Sequence, residues 1–376
     1  MTEMGKVFGR TAQQLAADAV RAAVADAGLT LDDVDGLLVT SGVAGRVRLT
    51  LQTDLALRDL TLLSEVKSLG ATAGAMVQTA SMAVASGSSR VVVCVFADTP
   101  LKQGERSGAA FDRPSRVPRG WAGLHAASGV TSATALYALA ARRHMLTYGT
   151  TQEQLGHIAV TQRASALKNP LAQMHDPLSL EDYHESRWVS EPFHLFDCCV
   201  VSNGAVAVVV TTADRAGSLP RPAVYVHGWG QSHPGFALRR NDDFGLRSGA
   251  AVSGPRAMSM ARITTDDVTV AELYDCYTFT ALLTLEDYGF CAKGEGGPYV
   301  ASGGLETATG PWVNTGGGQL SSYYMWGMTP LSEAIIQARG DGGDRQVQDP
   351  SMILVSGNGG VLDHHATLVL SPHEVG

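Results

Sequence analysis

Apolar residues recur at helical spacing through TAQQLAADAVRAAVADA, residues 11–27, and the pattern stops at Gly28, so a helix with a glycine C-cap is predicted there. GLLVT at 36–40 reads as a strand, and the small-residue run AGAMVQTASMAVAS at 73–86 reads as a helix closed by Gly87. RVVVCVFA at 90–97 and AVAVVVTT at 205–212 are unbroken apolar runs, the pattern of strands buried on both faces. Helices are predicted at about 131–147 and 151–167, the second opened by Thr150 with Glu153 at capping-box spacing. After a polar, proline-bearing crossing at 214–222 the alternation repeats. AVYVHGW is a strand, RAMSMARI a helix, AELYD a strand, FTALLTLEDYG and TPLSEAIIQARG helices, and SMILVSG and ATLVLSP strands. Two successive alternating units imply two α/β layers packed helix against helix, divided into 1–215 and 222–376.

Two stretches lack a clear pattern. Residues 100–130 are too long for a passive connection and read as a lid, a binding loop or a surface insertion. Residues 231–255 are rich in charge and glycine and end before the helix at Pro255.

With 376 residues, 45% of them apolar and 17% charged, the chain can bury a large core, and its 42 glycines fit many tight turns. A net charge of −8 without a basic block argues against nucleic acid as the main partner. No apolar run is long enough to span a membrane and no signal-peptide stretch opens the chain, so a cytoplasmic protein is expected. The five cysteines are odd in number and lack a CxxC pair, as expected of reduced thiols, and Cys198 and Cys199 read as packing residues.

The motifs VAELYDCYTFTALLTLEDYGFCAKGEGG (270–297), VNTGGGQLSS (313–322) and SGNGGV (356–361), with AADAVRAAVADAGLTLDDVDGLLVTSG (16–42) and SLGATAGAMVQTASMAVASG (68–87), resemble the sterol-carrier-protein branch of the thiolases. The resemblance covers nearly the whole chain. It implies the thiolase fold, an α/β protein of two similar halves in a five-layer arrangement. Family members usually open with a strand before TEMGKVFGRT, and that strand is expected to be absent here.

A thiolase needs a cysteine thiolate at a helix N-terminus. In the family it lies sixteen residues before the glycine that closes the helix and three before another glycine. Counted from Gly87 and Gly74, that position is Ala71, whose methyl cannot attack a thioester. Thr72 offers only an unactivated hydroxyl. The family histidine before Asp-Cys-Phe is replaced by Tyr274, and the Gly-His-Pro histidine, ten residues after Asn314, by Tyr324. The second cysteine appears as Ser356. A cysteine-dependent thiolase is therefore excluded.

Two tyrosines at the two histidine positions resemble the thiolase-like steroid side-chain-cleaving aldolases of the lipid-transfer-protein type. The resemblance implies retro-aldol cleavage of a β-hydroxyacyl-CoA, a steroid ester with a 17-hydroxyl, to a ketone and a short acyl-CoA such as propionyl-CoA. Such a reaction needs a base, an acid and donors for the thioester oxygen, but no nucleophile. Tyr274 and Tyr324 are the candidate acid–base pair, with their roles unassigned. His364 and His365 are candidates for lowering a tyrosine pKa, or a water-facing pair. Asp363 with both histidines is not expected to hold a metal, because adjacent histidines point apart on extended chain. Backbone amides of Gly316, Gly317 and Gly318, and of Ser356, Asn358, Gly359 and Gly360, are candidates for oxyanion and pantetheine contacts, with tight turns as the alternative. Arg113, Arg116 and Arg119 are candidate CoA-phosphate contacts or a solvated basic loop. Trp121, Trp312, Met325, Trp326 and Met328 are candidates for an apolar cavity or for core packing.

No intrinsic cofactor or metal is expected, with the coenzyme A thioester as substrate. A homodimer is expected, together with an OB-fold, zinc-ribbon acyl-CoA-binding partner subunit implied by the resemblance. The alternatives are an acyltransferase using Ser356 or Thr72 and a non-catalytic acyl-CoA-binding subunit.

Overall fold

The computed structural model describes residues 1–111, 120–235, 243–306 and 310–374. In chain order the first strands are β1 (Gly36–Ser41), β2 (Leu62–Glu65), β3 (Val91–Asp98), the hairpin β4 (Trp188–Ser190) and β5 (Phe193–His194), and β6 (Gly204–Thr211). They are followed by β7 (Tyr225–Ser232), β8 (Val270–Glu272), β9 (Trp312–Val313), β10 (Ile353–Gly359) and β11 (His364–Ser371). The first sheet runs β2-β1-β3-β6 and the second β7-β11-β10-β8-β9. β1 pairs parallel with β2 and β3, and β6 closes that sheet antiparallel to β3. In the second sheet β8 lies parallel to β9 and β10, while β11 is antiparallel to β10 and β7.

Both faces of the central strands are covered, which is why their sequences are continuous apolar runs rather than alternating ones. Leu37 and Val39 point into one core beneath the helix Ala12–Asp26. Leu38, Cys94 and Phe96 point into the larger core between the sheets. A fully buried leucine contributes about 2 kcal/mol of transfer free energy. Two helices fill the space between the sheets. Thr72–Ala85 touches β3 and β6 on one side and β10 and β11 on the other, and Met328–Arg339 lies beside it against β8 and β10. Ala250–Ala261 lies on β7 and β11, and Thr278–Tyr288 packs against it. Outer helix, sheet, paired helices, sheet and outer helices make the five layers of the thiolase fold.

Several local expectations shift. The helix expected to open at Thr150 is capped instead by Thr151, whose side chain accepts from the Gln154 amide in a capping box, while the Thr150 hydroxyl is engaged by His144 at 2.9 Å. Pro255 does not mark a helix start: it lies inside Ala250–Ala261. Gly228 and Gly230 of β7 let that helix approach so closely that a Cβ would stand 2.1 Å from the Ala257 carbonyl and 2.2 Å from that of Ser253. Sheet packing thus outweighs the local cost of the proline. AELYD does not stay in a strand past Glu272, because the Leu273 amide leaves the ladder to donate to Asn314 Oδ1 at 2.6 Å. The N-terminal segment retains strand-like pairing, with Thr2 donating to Ala205 and Gly5 exchanging bonds with Asn203 at the start of β6. Gln152–Ala166, although in the first half of the sequence, packs against Thr278–Tyr288 and the turn Gly318–Ser322 of the second.

Candidate active site

Ala71 ends a single 3₁₀ turn, Leu69–Ala71, that runs directly into the helix Thr72–Ala85. It is fully buried. The turn is strained: Leu69 has φ +52°, and Val361 and Leu362, in the loop that meets it through Gly360, have φ +56° and +69°. Non-glycine residues in this region cost on the order of 1–3 kcal/mol each and cluster at functional sites. Backbone meets backbone around the turn. A Cβ on Gly357 would stand 2.8 Å from the Gly70 carbonyl, and one on Gly359 2.6 Å from that of Ser68. Thr72 makes a poor nucleophile here. Its hydroxyl donates to the Leu69 carbonyl at 2.6 Å and accepts from the Ser68 amide at 2.8 Å.

Tyr274 and Tyr324, fifty residues apart in sequence, meet hydroxyl to hydroxyl at 2.8 Å. The Tyr274 ring lies against Gly70, where an added Cβ would fall 2.4 Å from its Cζ. Asp275 locks the two segments together: its carboxylate accepts from the Gln319 amide at 2.8 Å and the Leu320 amide at 3.3 Å. Gln319 in turn donates to the Trp326 carbonyl at 2.7 Å, and the Tyr324 amide donates to Ser202 Oγ at 2.8 Å. Tyr324 is therefore fixed from both sides. Phe111, within the stretch 100–130, brings its ring to 6.3 Å from that of Tyr324, so that stretch does reach the site.

Burial pushes both phenols well above their ordinary pKa, with neighbouring Cys276 adding for Tyr274 and Tyr274 itself adding for Tyr324. The bond between them lowers Tyr274 and raises Tyr324. Cys276 is pushed up to about 12 by burial and Cys199 far above its usual range. Neither thiol beside the tyrosines is a ready thiolate. Asp275 is raised to about 7 by burial, against the pull of the two amides it holds.

The histidines part company, as adjacent residues of a strand must. His364 turns outward and its Nδ1 lies 3.0 Å from that of His233. His365 turns into the protein, with Nε2 3.1 Å from Ser356 Oγ and 3.0 Å from the Tyr288 hydroxyl. Burial lowers His365 to about 3, so it is a neutral imidazole. The expectation that it lends positive charge to the tyrosines is corrected: it is uncharged, and its hydrogen-bond partners are Ser356 and Tyr288. His364 is also lowered by burial and by His233, and pairs with His233 rather than a tyrosine.

The glycine run packs rather than opens. A Cβ on Gly316, Gly317 or Gly318 would meet Glu333, Ala166 or Asp275 at 2.7, 2.5 and 2.2 Å, respectively. Met325, Trp326 and Met328 are core residues, Trp326 packing at a tilt against Phe96 with centroids 5.1 Å apart, and Trp312 is exposed at the β9 edge. These four do not form an apolar substrate cavity. Arg113, Arg116, Arg119 and the Trp121 side chain lie outside the described residues.

Sequence reasoning missed Tyr137, Asp275 and Phe111. Tyr137, from the helix Ala133–Tyr148, accepts from Asn358 Nδ2 at 3.0 Å, and its ring lies tilted against that of Tyr277 with centroids 4.9 Å apart. Its helical position, Tyr137-Ala138, looks like any core tyrosine, and no motif marks it. Asp275 carried a signal, since a carboxylate inside an apolar segment must find buried donors.

The thiolase C-terminal domain-like family matches residues 230–372. Over 95% of its length the chain is 37% identical to the steroid side-chain-cleaving aldolase of Thermomonospora curvata, covering 93% of that protein. Over 90% of its length it is 35% identical to the 17-hydroxy-3-oxo-4-pregnene-20-carboxyl-CoA lyase of Mycobacterium tuberculosis, covering 89% of that protein. The solved Ltp2–ChsH2(DUF35) aldolase superposes with a TM-score of 0.87 at 34% identity, over 98% of this chain and 95% of that one. A thiolase fold with alanine at the nucleophile position, a tyrosine pair in place of two histidines and these relatives lead to one assignment: the chain belongs to the thiolase superfamily, within its branch of steroid side-chain-cleaving aldolases.

Proposed function

We propose that this protein is a carbon–carbon lyase that cleaves a β-hydroxyacyl-CoA by a non-covalent retro-aldol reaction, with Tyr274 and Tyr324 as its acid–base pair. The 2.8 Å contact between the two phenols, beside an alanine where a nucleophile would stand, carries the reading. Overall, the reaction moves one proton from the β-hydroxyl to the α-carbon. The O–H bond breaks and its electrons form the ketone C=O. The Cα–Cβ pair becomes a thioester enolate, which takes a proton to give the shorter acyl-CoA. A two-tyrosine relay suits this balance: one phenol accepts the hydroxyl proton as it passes its own to the other, which supplies the α-carbon. No free phenolate is needed at rest, in keeping with two pKa values raised by burial. Backbone amides of Ser356, Asn358, Gly359 and Gly360, at the strand end beside the Ala71 turn, are the candidate donors to the thioester oxygen.

The substrate proposed is a steroid side-chain CoA ester with a 17-hydroxyl, cleaved to a 17-ketone and propionyl-CoA. The names of the two relatives support it. The working form proposed is a cytoplasmic homodimer with an OB-fold, zinc-ribbon acyl-CoA-binding subunit, and the DUF35 component of the similar solved aldolase supports that partner. Among the described residues no helix is long and apolar enough to cross a membrane.

The 3.1 Å contact of Ser356 with His365 is the one observation favouring an acyltransferase. A histidine held near pKa 3 is a weak base for that task. Intact-mass measurement during turnover separates the readings. The lyase leaves the chain unmodified while ketone and short acyl-CoA accumulate in equal amounts, whereas an acyl adduct on Ser356 or Thr72 would overturn it.

A further inference from the structure

Tyr324 stands on a stretch of chain that neither a sheet ladder nor a helix holds. The turn Gly318–Ser322 ends at Tyr323, which is extended at φ −153° and ψ +158°, and the next helix opens only at Met328. Side chains hold the main chain between them. Thr329 Oγ1 donates to the Tyr323 carbonyl at 3.0 Å and accepts from the Met325 amide at 2.9 Å. The Tyr324 amide, between those two bonds, donates to Ser202 Oγ at 2.8 Å. Ser202 comes from the other half of the chain, just before β6, and is fully buried.

The serine oxygen is itself fixed. It has two acceptor lone pairs, and Gln173 Nε2 donates to it as well, at 2.6 Å. Gln173 is anchored to the same stretch: its backbone amide donates to the Ser322 carbonyl at 2.9 Å, and the Met174 amide to that of Ser321 at 3.2 Å. Gly5, with φ +101°, lies so close that a Cβ there would stand 2.7 Å from Gln173 Oε1. Asn203, next to Ser202, exchanges backbone bonds with Gly5 at 2.9 and 3.0 Å. Its side chain donates to the carbonyls of Val7 at 2.8 Å and Leu101 at 2.9 Å. The N-terminal segment, the chain leaving β3 and the Tyr324 stretch are thus tied together at Ser202 and Asn203.

We propose that Ser202 and Gln173 are positioning residues for the cleavage: together they fix the Tyr324 amide and so set where its phenol meets that of Tyr274. The inference rests on the lyase reading of the tyrosine pair. Without Ser202 Oγ the Tyr324 amide is buried with no acceptor, a costly state that the stretch relieves by shifting. The shift falls on the residue whose phenol moves the proton, and transfer depends steeply on that placement. Neither Ser202 nor Gln173 touches substrate in this scheme, so ester affinity does not depend on them. A packing role differs in its consequences: it lowers stability and ester affinity without singling out the step that uses Tyr324.

The test is single-turnover cleavage of 17-hydroxy-3-oxo-4-pregnene-20-carboxyl-CoA by an excess of the full chain with the proposed partner subunit, the rate being taken per folded molecule. Binding of the same ester without the 17-hydroxyl, which has no proton to give and is not cleaved, is measured alongside. Ser202→Ala should lower the rate about tenfold, less than the roughly hundredfold loss that a 1 Å displacement brings, because Thr329 and Gln319 still hold the stretch. Gln173→Met, a milder change should Ser202→Ala fail to fold, should lower it about threefold. Both should bind the uncleaved ester within about twofold of the parent. Ser371→Ala is the control: its Oγ is as deeply buried and accepts from the His373 amide at 3.0 Å, and its rate should match the parent. In a Tyr324→Phe background Ser202→Ala should take nothing further from the residual rate, since it acts through the phenol. Parent-like rates in both variants, ester binding weakened as much as the rate, or an undiminished loss in the Tyr324→Phe background would overturn the positioning role. A parent complex that binds ester without cleaving it would instead overturn the lyase reading itself.

Discussion

Adding one methyl group at Gly70 should disable the site without dismantling the protein. A Cβ there would lie 1.9 Å from the Asn358 carbonyl oxygen and 2.4 Å from Tyr274 Cζ. Ordinary contact needs about 3.4 Å or more, so the Tyr274 ring must retreat by about 1 Å and the turn before Ala71 must draw away from the Asn358 carbonyl by about 1.5 Å. Overpacking of this kind costs about 1–3 kcal/mol of stability. The catalytic cost should be larger in kind, because a displacement of about 1 Å at a reacting group is worth about a hundredfold in rate. Gly74→Ala is the control. It lies at the start of the same helix, and its Cβ would meet Ala366 Cβ at 2.8 Å instead of a tyrosine. Both variants should lower the melting temperature. Cleavage rate per folded molecule, with folded fraction taken from circular dichroism, should fall about a hundredfold in Gly70→Ala and stay within severalfold of the parent in Gly74→Ala. Equal losses in the two, or a parent-like rate in Gly70→Ala, would refute the placement of Tyr274 in the reaction.

Stability should decline as pH rises through the range set by Asp275. Its folded pKa is raised to about 7 from 3.8, so the stabilising protonated form is fully present below about 4 and lost as pH climbs to about 7. The difference is on the order of 4 kcal/mol, and Asp275→Asn should flatten that part of a denaturant-midpoint against pH curve; an unchanged slope would contradict the assignment. Ala71→Cys should not restore thiolysis, since the positions that would activate the thiol are Tyr274, Tyr324 and Ser356; CoA-dependent cleavage of a β-ketoacyl-CoA by this variant would show otherwise. Tyr288→Phe should leave the tyrosine pair working, because Tyr288 bonds His365 and Thr367 on a different part of the sheet. A drop in cleavage rate beyond about tenfold would mean that His365 is coupled to the chemistry after all.

The fold was largely legible because its central strands and helices carry strong patterns: VVVCVFA can hardly be other than a two-sided buried strand. What was illegible is what tertiary contact decides. β2, with the sequence LLSE, has no pattern of its own and exists because β1 offers it an edge. The helix through Pro255 depends on two glycines of a neighbouring strand, which no local signal announces. For the candidate site, the family resemblance pointed to Ala71 by its spacing from Gly74 and Gly87, to Tyr324 by its spacing from Asn314 and to Tyr274 by the Asp275-Cys276 that follows it, before any distance between them was known. Its surroundings were not. Burial, rather than residue type, makes His365 neutral, and the long loop hides that Phe111 comes to rest near Tyr324. The residue-level resemblance supplied the reaction class; the two phenols, paired at 2.8 Å, are the route proposed for the proton.

The most direct measurement is cleavage of 17-hydroxy-3-oxo-4-pregnene-20-carboxyl-CoA by the full chain with the proposed partner subunit, both products being followed by mass spectrometry in the parent, Tyr274→Phe and Tyr324→Phe. Either substitution removes one phenol from the relay, and loss of a general acid–base group costs about 10²–10⁴-fold. Ketone and propionyl-CoA are expected in equal amounts from the parent, with a loss of that size in each variant while both variants remain folded and bind ester. Parent-like cleavage by either folded variant would contradict the tyrosine relay.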